Sequence, residues 1–231
     1  MDAPEETDGR QSLGDDPLRR DTSAIGLASF AAAGLVADTS YLFNRYNQTN
    51  LPPLLSSTHD WLLVLAWLGV LIYLFMSLAD RDLPIGLFLL PIVLVLIGAA
   101  SFVSDSPNTR ILPRDPSEIE KLAIRSCAML HASQLVFGIA GVLTGLTLSM
   151  MYLVQHRRLK HKQPGHSGLS VPNLERLARW NRWAVMISVP LLTFGMATGV
   201  GLAIHSRKGP TPVSLGDPVI VMNGVVWFVM V

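Results

Sequence analysis

Apolar residues gather along this chain in long runs, separated by short polar stretches. A hydrocarbon core of about 30 Å needs roughly 20 apolar residues in helical form. Five runs reach that length, at about 23–43, 61–79, 83–103, 128–154 and 183–204. The first is the weakest, because Asp38 interrupts it. A sixth run begins at Val219 and stops with the sequence at Val231, too short to cross. The expected fold is all-α: a polytopic transmembrane helical bundle over residues 23–231, with five full spans and a sixth cut short.

Composition supports this reading. Half of the 231 residues are hydrophobic and only 15% are charged, against about a quarter charged in soluble domains. The head "MDAPEETDGRQSLGDDPLRRD" carries seven acids and three arginines with no apolar period. It predicts a disordered polar tail over 1–22. It lacks the basic region and cleavage site of a signal peptide. A net charge of +1 argues against nucleic acid as a partner. Cys127 is the single cysteine, so an internal disulfide and a C-x-x-C exchange site are both excluded.

Charge also predicts direction. The stretch 155–182 holds Arg157, Arg158, Lys160, Lys162, Arg176, Arg179 and Arg182 against one acid, Glu175. Positive loops stay in the cytoplasm, so the N-terminus is expected there too. The expected location is the cell (inner) membrane. Trp180 and Trp183 flank that loop, as interfacial aromatics do. On the other side, Asp115, Pro116 and Glu118 read as N-cap, first helical residue and capping-box acid. They predict a helix that starts near Pro116, lies along the interface and leads into the fourth span.

Six histidines divide under this topology. His156, His161 and His166 belong to the basic loop. His59, His131 and His205 fall at the outer ends of the second, fourth and fifth spans. Neutral imidazole is a common metal and haem ligand, and a polar group in a span needs a reason to be there. A structural role as hydrogen-bonding glue between helices is the plain alternative for each. The two G-x-x-x-G runs, Gly141 to Gly145 and Gly195 to Gly199, predict close helix approach. Pro91 and Pro190 predict kinks. Met150, Met151 and Met196 read as lipid or core contacts. No paired nucleophile and base, phosphate-cradling loop or metal-spaced acid cluster stands out, and the chain is not expected to be an enzyme.

Four separated stretches then resemble one family, the cytochrome c assembly membrane proteins of the CcsA/CcmC group with its HemX-like and YpjD-like relatives. "LPPLLSSTHDWLLVLAWLGVLIYL" is similar to the family's opening pattern, with Asp60 at the acid and Trp67 at the aromatic. "AMLHASQLVFGIAGVLTGLTLSMMYLVQHRRLK" resembles its histidine-headed span with a basic end, and "LERLARWNRWAVMISVPLLTFGMATGVGLA" the span that follows. "SLGDPVIVMNGVVWFVMV" sits where the family carries its tryptophan-rich haem segment. Of that segment Asp217, Pro218 and Trp227 remain, while Leu215 and Gly216 replace the expected aromatic neighbourhood. This departure points to the HemX-like branch.

The resemblance implies haem as cofactor, held near the outer face and delivered to apocytochrome c. It implies partners among other cytochrome c assembly subunits and the lipid bilayer. It gives His131 the role of metal ligand, with Asp217 and Trp227 as remnants of the haem segment; His205 and His59, by their place at the same outer end and not by the resemblance, are further candidate cofactor-binding residues. Arg110, Arg114 or Arg125 would pair with the propionates. Two rival readings follow from the residues alone. One is a regulatory or structural membrane subunit that binds no cofactor. The other is a solute permease, which the absence of an inverted repeat disfavours.

Overall fold

The computed structural model describes residues 17–49, 52–79, 85–103, 118–160, 174–206, 221, 224–225 and 227–229. Its helices are α1 (Pro17–Thr49), α2 (Pro53–Ser56), α3 (Thr58–Ala79), α4 (Gly86–Phe102), α5 (Glu118–Lys160) and α6 (Leu174–Ser206). Residues 224–225 and 227–229 are helical as well, and no strand occurs among the described residues.

Four helices are long and apolar enough to cross a membrane: Gly26–Thr49 within α1, Thr58–Ala79, Leu122–Arg157 within α5 and Leu174–Ile204 within α6. Helix α4 is apolar over 17 residues, which is about 25 Å at 1.5 Å per residue. Bulky apolar side chains such as Phe30, Phe75, Leu94 and Phe102 stand outward on these helices, where water would penalise them and lipid would not.

Two boundaries differ from the sequence expectation. Helix α1 already begins at Pro17, so residues 17–22 of the expected tail are helical; residues 1–16 lie outside the described residues. The helix expected from Pro116 is described from Glu118 and runs unbroken to Lys160, while Asp115 and Pro116 lie outside the described residues. Pro91 and Pro190 sit inside α4 and α6 without ending them.

The helices pack in a row, α1 on α3, α3 on α5 and α5 on α6, with α4 against α3 and, less extensively, α5. Close contacts set the register. A Cβ on Gly138 would meet Leu192, one on Gly141 would meet Ser188, one on Gly195 would meet Leu135, and one on Gly199 would meet His131. As residue numbers rise on α5 they fall on α6, so the pair is antiparallel. Both G-x-x-x-G runs therefore face a single seam, as their spacing predicts.

One end of the bundle carries the C-terminal ends of α1 and α6, the start of α3 and the first part of α5. This is the histidine end. The opposite end carries Arg157, Lys160, Arg176, Arg179 and Arg182, all exposed. Two apolar clusters fill the interior. Leu65, Leu68, Val136 and Ala140 lie toward the histidine end. Tyr73, Met76, Ile85, Leu89, Leu148, Met151 and Leu177 lie toward the basic end.

Candidate functional site

His131 lies on the glycine seam. Its Nδ1 stands 2.7 Å from the carbonyl oxygen of Gly195. A carbonyl only accepts, so Nδ1 carries the proton and donates it. The neutral ring then keeps its lone pair on Nε2, the arrangement second-shell bonding imposes on ligating histidines. The seat depends on two missing side chains. A Cβ on Gly199 would fall 2.6 Å from His131 Cε1, well inside van der Waals contact. A Cβ on Gly195 would fall 3.0 Å from Leu135 Cδ2. The hydroxyl of Thr198 completes the seat, 2.8 Å from the same Gly195 oxygen and 3.4 Å from His131 Nδ1.

A second polar site lies between α1 and α3. The Asp60 side chain is fully buried. Its Oδ2 accepts from Arg45 Nε at 3.2 Å and from Ser56 Oγ. Its Oδ1 lies 3.2 Å from His59 Nδ1, which must be the donor to a carboxylate. The Asp60 backbone N–H donates to Ser57 Oγ at 3.1 Å, so Ser57 caps the first turn of α3. An acid in that turn also suits the helix dipole. The His59 ring meets Tyr41 edge to face, with centroids 6.2 Å apart.

The sequence placed His59, His131 and His205 at one end, and the helices carrying them do converge there. Their faces differ. On α3 the residues toward α5 include Leu65 and Leu68, whereas His59 contacts Tyr41 of α1. On α5 the residues toward α3 include Val136 and Ala140, whereas His131 faces α6. The two imidazoles are thus turned to different partners, His59 to α1 and His131 to α6. The structure does not bring them around one iron. His205 belongs to the last turn of α6, and its side chain lies outside the described residues. Asp217, Arg110, Arg114, His161 and His166 also lie outside them. Arg125 is exposed on α5, nearly two turns before His131.

Trp227 is half-buried and donates its indole N–H to Thr193 Oγ1 at 2.8 Å. Gly224 approaches Met196 nearby. At about 100° per residue, Thr193 and Met196 lie roughly a third of a turn around α6 from Gly195 and Gly199. Trp227 therefore covers a different face of α6 from the one that seats His131. No group of three or more His, Cys, Asp or Glu able to hold a metal occurs among the described residues. Among the described residues, the donor that this seam presents is the imidazole of His131.

Sequence reading missed Arg45 and Ser56 as partners of Asp60. Ser56 precedes Asp60 by one helical turn, a signal that was legible; Arg45 was not, because it belongs to another helix. Thr198 and the role of Gly199 as the seat of His131 were also missed, since they required the α5–α6 register.

The comparisons with known proteins agree with this architecture. The pattern described as "Cytochrome C assembly protein" matches residues 55–230. The chain belongs to the cytochrome c assembly protein family. It is a multi-pass membrane protein. More particularly, it is similar to "Cytochrome c biogenesis protein CcsA" from two strains of Heterosigma akashiwo, NIES-293 / 8280G21-1 and CCMP452 / OLISTH. Identity to each is 31% over 121 residues, covering 52% of this chain and 35% of the relative. The chain thus matches about a third of the length of these curated relatives. No solved structure matches the chain. Family membership supports a role in cytochrome c biogenesis.

Proposed function

We propose that the chain binds haem at the histidine end through His131 Nε2 and hands it on to apocytochrome c. The observation that carries this reading is the bond from His131 Nδ1 to the Gly195 carbonyl, which leaves Nε2 as the ligating nitrogen. When bound, haem would supply the iron chemistry; His131 would hold the iron, and the α5–α6 seam would fix the imidazole. In this reading the histidine end faces outward, and the basic end and the N-terminus face the cytoplasm of the cell (inner) membrane. The topology is five full spans, with α4 counted as one, and the beginning of a sixth that includes Trp227. The chain acts as a carrier of haem without making bonds itself.

Haem titration of the purified full-length protein, followed at the Soret band, tests the reading. A saturable band that His131→Ala abolishes is expected. No band in the parent protein overturns haem binding, and an unchanged band in His131→Ala overturns the ligand assignment. One observation favours a second reading, a HemX-like regulatory or structural subunit that binds no cofactor. The Trp227 indole is engaged with Thr193 on another face of α6, away from the seat of His131.

A further inference from the structure

Asp38 stands midway along the Gly26–Thr49 span, about 18 Å from either end of it at 1.5 Å per residue. The less exposed positions of α1 form one stripe, Ala28, Ala31, Leu35, Asp38, Leu42, Arg45 and Thr49, at helical spacing. That stripe faces α3, since Arg45 bonds Asp60 and the next residue after Asp38, Thr39, accepts from Trp67. On α3 the positions one turn either side of Trp67 are Leu63, Val64, Val70 and Leu71, none of which can donate to a carboxylate. Arg45, the only cation on the stripe, is already bonded to Asp60. Among the described residues no hydrogen bond or ion pair reaches Asp38. Among the described residues α1 packs mainly on α3 and α2, and its Phe30 and Phe43 stay exposed.

Ionisable groups at this depth are rare and are almost always paired. We infer that Asp38 is the point at which a second membrane subunit docks, through a basic residue that its own spanning helix carries near the bilayer centre. The charge of Asp38 selects the occupant. A second copy of this chain would bring another Asp38 to the same depth, and lipid tails offer no donor. The docked helix lies along α1 beside α3, so the interface is separate from the seam that seats His131.

The test uses the tagged full-length chain in membranes of its native host, solubilised in digitonin. A co-purifying spanning subunit with Lys, Arg or His in the middle of one helix is expected. Asp38→Leu should reduce its recovery more than tenfold, Asp38→Glu should retain it, and Val36→Ala on the outward face should leave it unchanged. Asp38→Lys combined with replacement of the partner's basic residue by Asp should restore recovery. Circular dichroism and elution position of the Asp38→Leu chain establish that it is folded. Full recovery with Asp38→Leu, a partner without a mid-span cation, or failure of the exchanged pair to restore binding would each overturn the inference.

Discussion

The α1–α3 and α5–α6 interfaces both reach the histidine end, and they are built by opposite means. The first is closed by charge: Arg45, Ser56 and His59 converge on one fully buried carboxylate. The second is closed by the absence of side chains, with Gly138, Gly141, Gly145, Gly195 and Gly199 admitting the other helix. Between helices in lipid there is no hydrophobic driving force, so association rests on polar bonds or on close packing. The difference has a consequence for the two histidines. His59 is one spoke of an electrostatic hub that holds two helices together. His131 bonds a backbone carbonyl that would exist with any residue at 195, and its Nε2 is left over for other chemistry. A seam built from glycine can house a ligand without the ligand being part of what holds the seam.

The largest effect that would break this contrast is at Asp60. Removing one member of a buried ion pair leaves the others without compensation and costs about 3–5 kcal/mol. Asp60→Ala is expected to lose that much stability in denaturant unfolding in detergent, while folded protein keeps its haem spectrum. A loss below about 1 kcal/mol would mean that apolar packing, not charge, holds α1 to α3. Next comes Gly199→Ala, which forces the His131 ring to move. Overpacking of this kind costs about 1–3 kcal/mol, and haem affinity should fall more than tenfold. Gly145→Ala is the matched control on the same seam. Its Cβ would lie 3.2 Å from Asn181 Oδ1 and 3.9 Å from Ala184 Cβ, so it should affect packing and spare haem. Equal haem affinity in both variants would show that the glycine seat does not position the imidazole.

How far these features were legible follows from which interactions are local. Apolar runs locate helices because burial of backbone polar groups in lipid leaves the helix as the available form, and α3, α5 and α6 appeared where runs predicted. Helix ends were less legible: α1 starts at Pro17 in charged sequence, beyond what a hydropathy pattern can register. Gly195 and Gly199 announced a close approach through spacing alone. What they would admit depended on antiparallel register with α5, which no single helix encodes. The partners of His59 and His131, Tyr41 of α1 for the first and α6 for the second, depend on such packing in the same way. Depth in the membrane can be read from position in a span, but the face a residue presents depends on its neighbours in the bundle.

Two tryptophans give a smaller test. Trp67 donates to Thr39 across the α1–α3 interface, and Trp227 donates to Thr193 on α6, each at 2.8 Å. Replacement by Phe removes the donor and keeps most of the ring, a loss of about 1 kcal/mol. Trp67→Phe should lower stability without touching haem titration. If Trp227→Phe also leaves the haem spectrum unchanged, its indole serves packing; a shifted Soret band would return it to the cofactor.

The smallest expected effect is the most informative about His131. Thr198 Oγ1 and His131 Nδ1 both lie within hydrogen-bond distance of the Gly195 oxygen. Thr198→Val keeps the shape and removes the competing hydroxyl, at a stability change of about 0.5 kcal/mol, typical for one polar contact between spanning helices. The imidazole then has more of that carbonyl to itself. A stronger Nδ1–H donation puts more electron density on Nε2, which favours ferric over ferrous iron. Spectroelectrochemical titration of the haem-loaded variant should therefore show a lower midpoint potential, with affinity nearly unchanged. A potential that stays fixed or rises would mean that the Gly195 bond does not govern the imidazole, and that the glycine seam positions the ring by shape alone.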